Sequence, residues 1–337
     1  MVRIWRAYTP LLVLWLIYFF GLRLALATYG TEIELFPTRY VPIFALAIGG
    51  FILVALLVFY ARYISLGQIP ARERFARLTK NVRWVEIIGP GPLLSFVFVF
   101  TTMSMFAAFK PHIPDMNPFD WDPVFIGWDR ALLFGYDAWE LTHGLLPWRW
   151  ATLIVDRLYL AWFLVVLATT CVVAFSPLQS RVRLAYLMTF ILNWMIAGTV
   201  LAIVFSSAGP VFMDRLSGDD SYLPLLVRLS SAPEGFEIWT LRTIEMLWGG
   251  YIKDPGVVPF GISAFPSLHV CMTTLVVLYL GQISRMWSRM AWIFLAIILF
   301  GSVHLGWHYL VDGIAGMLVC WANWRASLWF SGWWLRG

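Results

Sequence analysis

Residues 184–205 read LAYLMTFILNWMIAGTVLAIVF, an uncharged stretch whose most polar side chain is Asn193. Wound at about 1.5 Å per residue, a helix of this length spans the roughly 30 Å hydrocarbon layer of a bilayer. Comparable apolar runs occupy residues 10–29, 41–63, 87–109, 151–175, 267–283, 288–305 and 307–328. Together they predict an all-α fold, a polytopic membrane helix bundle of about eight transmembrane helices. The first run is read as a span and not as a cleaved signal peptide, because it is too long.

Composition points the same way. Of 337 residues, 61% are apolar and 13% charged, with a mean hydropathy of +0.76; a soluble domain has about 45–50% and about 25%. Many of the 20 tryptophans stand at the ends of the runs, where the bilayer interface holds them. Cys171, Cys271 and Cys320 all lie inside runs, which excludes a disulfide framework. A net charge of +5, scattered along the chain, does not suit nucleic acid. The expected organisation is three N-terminal helices with an amphipathic outer loop over 1–150, joined to a C-terminal catalytic bundle over 151–337 as one structural unit.

With eight spans both termini share a side. That side carries Arg3, Arg6, Arg62, Arg72, Arg74, Arg77, Lys80, Arg83, Arg181, Arg183, Arg285, Arg289, Arg325 and Arg336, against only Glu73 and Glu86. Cytoplasmic loops hold the Lys/Arg excess, so the termini are expected in the cytoplasm and the long connections 110–150 and 206–266 outside. Economy of the chain and the lack of targeting signals suggest a bacterial inner membrane. Within the first outer connection, Phe125, Trp128, Leu132, Leu133, Tyr136 and Trp139 recur at helical spacing among charges. That pattern predicts interfacial helices, either a cap packed on the bundle or a substrate-entry surface.

The chemistry concentrates near the C-terminal end of the sequence. Gly261–His269 (GISAFPSLH) opens the sixth run, and Gly301–Gly313 (GSVHLGWHYLVDG) joins the seventh to the eighth. Three of the five histidines lie in these two segments. Pro266 suits a helix's first turn, leaving N–H groups around Ser267 and Leu268 as an anion site, with His269 one turn further on. His308 and Asp312 are four apart, so on one helix face they pair. A carboxylate on one ring nitrogen fixes the tautomer and frees the other as a nucleophile or base. Such a set suits acyl or phosphoryl transfer. The plainer account of a histidine in an apolar helix is a satisfied core residue, and His112 and His143 in the outer loops need no other. A rival reading makes His304, His308 and Asp312 a two-His-one-carboxylate metal site; five histidines are too few for a membrane di-iron centre.

These segments resemble the phosphatidic acid phosphatase type 2 superfamily of membrane lipid phosphatases and phosphotransferases. Its Pro-Ser-Gly-His motif appears as Pro266-Ser267-Leu268-His269, and its Ser-Arg-x5-His-x3-Asp motif aligns with Gly301-Ser302-x5-His308-x3-Asp312. The Phe-Pro-Ser-Leu-His form and the missing arginine look most like the branch containing inositol phosphorylceramide synthases. The resemblance implies that His308 is the nucleophile that becomes phosphohistidine, that Asp312 orients it, and that His269 protonates the leaving oxygen. No metal or cofactor is implied. The expected substrate is a phospholipid or polyprenyl phosphate, with a lipid or sugar alcohol as a possible acceptor.

Two departures stand out. The Lys-x6-Arg-Pro motif is absent; the nearest feature is Ser206-Ser207-Ala208-Gly209-Pro210, with Arg215 soon after. Position 302 holds Ser where the family has a phosphate-binding Arg. A transferring phosphoryl group needs preorganised positive donors, so Arg215, Lys253 and His304 are the candidates to join Ser267, Leu268 and Ser302 around the phosphate. The Asp156–Arg157 pair, beside a span, reads as a structural ion pair or a snorkelling arginine. The competing class of function is a lipid transporter or lipid-binding protein with a decayed site.

Overall fold

A computed structural model of the protein describes residues 2–30, 90–177, 179–253 and 261–336, with scattered positions between 34 and 73. Among these residues every regular element is a helix, so the all-α membrane bundle is the observed fold. Five helical stretches are long and apolar enough to cross a bilayer: Ile4–Thr28, Pro90–Met116, Arg149–Ala174, Arg181–Val204 and Arg285–His304. The apolar helix Leu268–Leu280 is shorter. The expected span at 41–63 lies outside the described residues apart from isolated positions, and the eighth, from 307, begins three residues later as a helix over Leu310–Trp334.

The long helices are α1 (Val2–Thr28), α2 (Pro90–Phe109), α5 (Arg149–Leu160), α6 (Trp162–Ala174), α7 (Arg181–Leu192), α10 (Leu268–Leu280), α11 (Arg285–His304) and α12 (Leu310–Trp334). Ala161 separates α5 from α6. Beyond α7 the chain continues as a π-helix over Asn193–Leu201, so the stretch 184–205 is one continuous rod but not one regular α-helix. Wider π-turns leave backbone positions that side chains fill. Here Asn193 accepts from Asn323 on α12 at 2.9 Å, a buried polar tie between two spans.

Several polar groups inside the bundle are bonded across helices, which an apolar medium favours. Arg183 is fully buried, and its Nη2 donates to the hydroxyls of Tyr8 on α1 and Ser95 on α2. Tyr18 on α1 meets Thr199 at 2.9 Å. The N-terminal helices are thus tied into the same bundle as the C-terminal ones. Asp156 and Arg157 do form an ion pair, at 3.0 Å, and Asp156 also accepts the N–H groups of Trp239 and Thr240, both at 3.0 Å. That carboxylate therefore caps α9 (Trp239–Lys253).

The two long connections fold into helices. The first contains α3 (Asp122–Leu132) and α4 (Ala138–Leu145); the second contains α8 (Leu223–Ser230) and α9. Of the two roles weighed for the first, the packing against the bundle is visible: Phe125 is fully buried and stacks on Phe265 with centroids 4.4 Å apart. Trp128 and Leu132 on the same helix remain exposed.

Candidate active site

Both motif segments come together at one end of the bundle. The Ser267 N–H donates to the Asp312 carbonyl at 3.0 Å, pinning the start of α10 to the start of α12. Ser267 is the N-cap of α10, its hydroxyl accepting from the Val270 N–H. Pro266 therefore precedes the cap instead of opening the helix, a correction to the expected position. The first-turn N–H groups of Leu268 and His269 have no acceptor within the helix, so the helix start keeps its anion-binding character.

A second correction concerns His308. It does not share a helix face with Asp312, because α11 ends at His304 and α12 starts at Leu310. His308 stands in the connection, its N–H held by the Ser302 carbonyl at 3.1 Å. The two side chains are adjacent nevertheless, with His308 Nδ1 at 3.4 Å from Asp312 Oδ2 and without a hydrogen bond between them, and both residues are buried. Gly306, at φ +73°, turns the chain back so that this happens. Asp312 Oδ2 also accepts the Tyr309 N–H at 3.0 Å.

His269 faces this pair, its ring centroid 5.9 Å from that of His308. Tyr159 stacks on His269 at 4.8 Å and Trp162 lies against it at 4.5 Å. Trp162 also donates its indole N–H to the His269 carbonyl at 2.9 Å. The His269 imidazole thus sits against aromatic walls supplied by α5 and α6. The Tyr159 hydroxyl is buried with no hydrogen-bond partner, so a donor stands open there.

The expected phosphate donors fare differently. Arg215 makes a bidentate pair with Glu245 and lies over Trp248, 5.6 Å from the ring centroid, so its charge is already matched. The Ser302 hydroxyl donates to the Leu299 carbonyl at 2.8 Å. His304 meets Thr152 at 3.0 Å through Nε2 and stacks on His143 with centroids 3.8 Å apart. Its partners are therefore on α4 and α5, and it does not complete a metal triad with His308 and Asp312. No group of three His, Cys, Asp or Glu among the described residues could hold a metal ion. Lys253 ends α9, and its side chain lies outside the described residues.

Lys110 follows α2 in a short 3₁₀ turn, Lys110–His112, and the backbone of that turn packs against Gly261, at the start of the first motif segment. Gly261 permits the approach: a Cβ there would lie 2.6 Å from the Lys110 carbonyl carbon and 2.5 Å from Pro111. Sequence reasoning missed Lys110 because it sits about 150 residues from the motifs, on a helix with no motif of its own.

Two aspartates on α3 were also missed. Asp129 accepts the N–H groups of Leu310 and Val311, at 2.7 and 2.9 Å, and so caps α12 immediately after His308. Asp122 accepts from the N–H groups of Ala208 and Gly209 at 2.9 and 2.8 Å, from the Ser207 hydroxyl at 3.0 Å and from the Tyr309 hydroxyl at 2.9 Å. Burial raises the affinity of both carboxyls for a proton, and those backbone N–H donors oppose the effect. The Ser206–Pro210 stretch lies between the two motif segments: the Ala264 N–H donates to Ser207 and the Val211 N–H to Gly306. Gly209, at φ +94°, is required there, since a Cβ would come within 2.7 Å of the Trp307 carbonyl oxygen.

The family model PAP2_3, for the PAP2 superfamily, matches residues 124–326, a stretch that begins in α3 and takes in every motif residue above. This chain belongs to the PAP2 superfamily. No curated protein and no solved structure matches it. Membership makes the chain a membrane enzyme of the phosphatase or phosphotransferase type, and the match takes in Asp129 but starts two residues after Asp122.

Proposed function

We propose that this PAP2 enzyme transfers a phosphoryl-containing group from a membrane lipid through a phosphohistidine on His308. The observation that carries the reading is His308 beside Asp312, with His269 facing it across 5.9 Å. Asp312 orients His308 through Nδ1, leaving Nε2 to attack phosphorus. As the P–N bond forms, the P–O bond to the leaving group breaks and His269 gives its proton to the departing oxygen. The first-turn N–H groups of Leu268 and His269 and the ammonium of Lys110 receive the phosphate oxygens. Then a hydroxyl, from water or from an acceptor lipid or sugar alcohol, attacks phosphorus with His269 as base and frees His308.

Transfer to an acceptor is the form we favour, in line with the inositol phosphorylceramide synthase branch. The aromatic walls of Tyr159 and Trp162 beside His269 support it by limiting room for water. Charge placement supports a site opening on the extracytoplasmic side, with the termini in the cytoplasm of a bacterial inner-membrane protein.

Purified enzyme and His308→Ala would be offered phosphatidic acid, a polyprenyl diphosphate, and phosphatidylinositol with and without ceramide or diacylglycerol, with products followed by mass spectrometry. A new phospholipid that needs both acceptor and His308 is the expected result. Free phosphate from wild type alone would mean a lipid phosphatase. Equal behaviour of the two proteins would overturn the phosphohistidine step and leave transport or binding.

A further inference from the structure

A transferring phosphoryl group spreads charge over three equatorial oxygens, and each is best met by a donor already in place. This chain is short of such donors. Position 302 is Ser and not the family's arginine, and its hydroxyl is engaged by the Leu299 carbonyl. Arg215 is engaged by Glu245. Beside the histidines, one side-chain donor stays open: the hydroxyl of Tyr159.

Tyr159 stands in the last turn of α5, two residues before the break at Ala161. Tyr159 and Trp162, three apart across that break, both lie against the His269 imidazole. The Tyr159 ring also packs on α11 at Gly301, where a Cβ would stand 3.1 Å from its Cδ2. Gly301 immediately precedes Ser302, so the ring lies against the very segment that carries the arginine elsewhere in the family.

Tyr159 is buried, and its hydroxyl has no hydrogen-bond partner among the described residues. Other buried tyrosines of the bundle are bonded: Tyr18 to Thr199, Tyr186 to Thr170 and Tyr309 to Asp122. An unmade bond at a buried hydroxyl lowers stability, and a phenylalanine in the same place would avoid that loss. The phenol is, however, a neutral donor whose bond to an anionic oxygen strengthens as negative charge grows on it.

We propose that Tyr159 is a catalytic residue, donating its hydroxyl hydrogen to a non-bridging oxygen of the phosphoryl group in transfer to His308, in place of the missing arginine. The assignment rests on the phosphohistidine reading above. The hydrogen stays on Tyr159 throughout: the phenol stabilises charge, and His269 alone moves a proton to the leaving oxygen.

Tyr159→Phe keeps the ring and removes only the donor. On a lipid that wild type turns over, kcat should fall about a hundredfold with KM little changed. Half-inhibition by orthovanadate, which adopts the five-coordinate geometry of the transferring phosphorus, should need a correspondingly higher concentration. The melting temperature in detergent should hold or rise, because an unpaired hydroxyl has gone. Tyr186→Phe, which breaks the bond to Thr170, should do the opposite, lowering the melting temperature and keeping kcat. Unchanged kcat in Tyr159→Phe, or a loss of kcat that comes with a lowered melting temperature, would make Tyr159 a packing residue and overturn the proposal. His308→Ala run alongside separates the two readings. If it abolishes turnover while Tyr159→Phe is as fast as wild type, the tyrosine assignment alone fails; full turnover by His308→Ala would overturn the phosphohistidine step and this assignment with it.

Discussion

His308 owes its place to backbone bonds more than to its own side chain. Its N–H is fixed by Ser302, and the residues after it are fixed by Asp129. Removing the imidazole should therefore stop turnover without unfolding the protein. For His308→Ala we expect at least about a thousandfold loss in kcat, together with loss of an acid-labile, base-stable phosphoprotein when labelled substrate is quenched. His269→Ala should cost about 10²–10⁴-fold while still allowing the label to accumulate from a substrate whose leaving group needs no proton. Lys110→Gln should lower kcat/KM by about a hundredfold or more, with Lys110→Arg recovering part of it, measured on the same lipid. The histidines and Asp312 were legible in the sequence because they stand in two short motifs. Lys110 was not legible, because its closeness to them is made only by the packing of Gly261 on the 3₁₀ turn. Arg215 misled for the converse reason: its partner, Glu245, comes from a helix 30 residues on.

Among the elements, α3 deserves the position that the motifs occupy in the sequence. One face of it supplies Asp122, Phe125 and Asp129, which hold, respectively, the Ser207–Gly209 turn, Phe265 beside Pro266, and the start of α12. Asp129→Asn keeps one acceptor oxygen and turns an amide toward the other N–H, so the loss should be about 1 kcal/mol, read as a lowered melting temperature in detergent. It should also lower kcat more than it changes KM, because the loop it anchors carries His308, the proposed nucleophile. Gly209→Ala forces an L side chain to φ +94° against a carbonyl oxygen, a strain of about 1–3 kcal/mol visible in the same melt. Periodicity foretold that helices would form in this outer connection, since the aromatic residues repeat every three to four positions. It could not foretell what the aspartates do, because a charge on an interfacial helix normally faces water, and these two are 2% exposed.

Across the whole molecule, apolar run length gave the bundle, since the bilayer sets that length for any sequence. Residue-level boundaries were less legible: the π-helical turn after Leu192 and the break at Ala161 depend on neighbours. Sidedness can be measured directly. The three native cysteines are free and buried, so single additions report cleanly. Phe134→Cys, at a position 95% exposed beyond α3, should react with a membrane-impermeant maleimide in intact cells. Trp287→Cys, at the far end of α11, should react only after the cells are opened. The reverse pattern would invert the orientation. The Trp334 indole N–H donates to the Arg6 carbonyl, and that bond has a consequence for the path of the chain. It lays the first and last helices side by side at one end, and the turn at Gly281–Ser284 between α10 and α11 emerges at that same end. Traced as a thread, the protein is a ring whose seam can be moved. A circular permutant that links α12 to α1 and opens at Gln282 would have every described helix run in its present direction, with both new ends on the face where Trp334 meets Arg6.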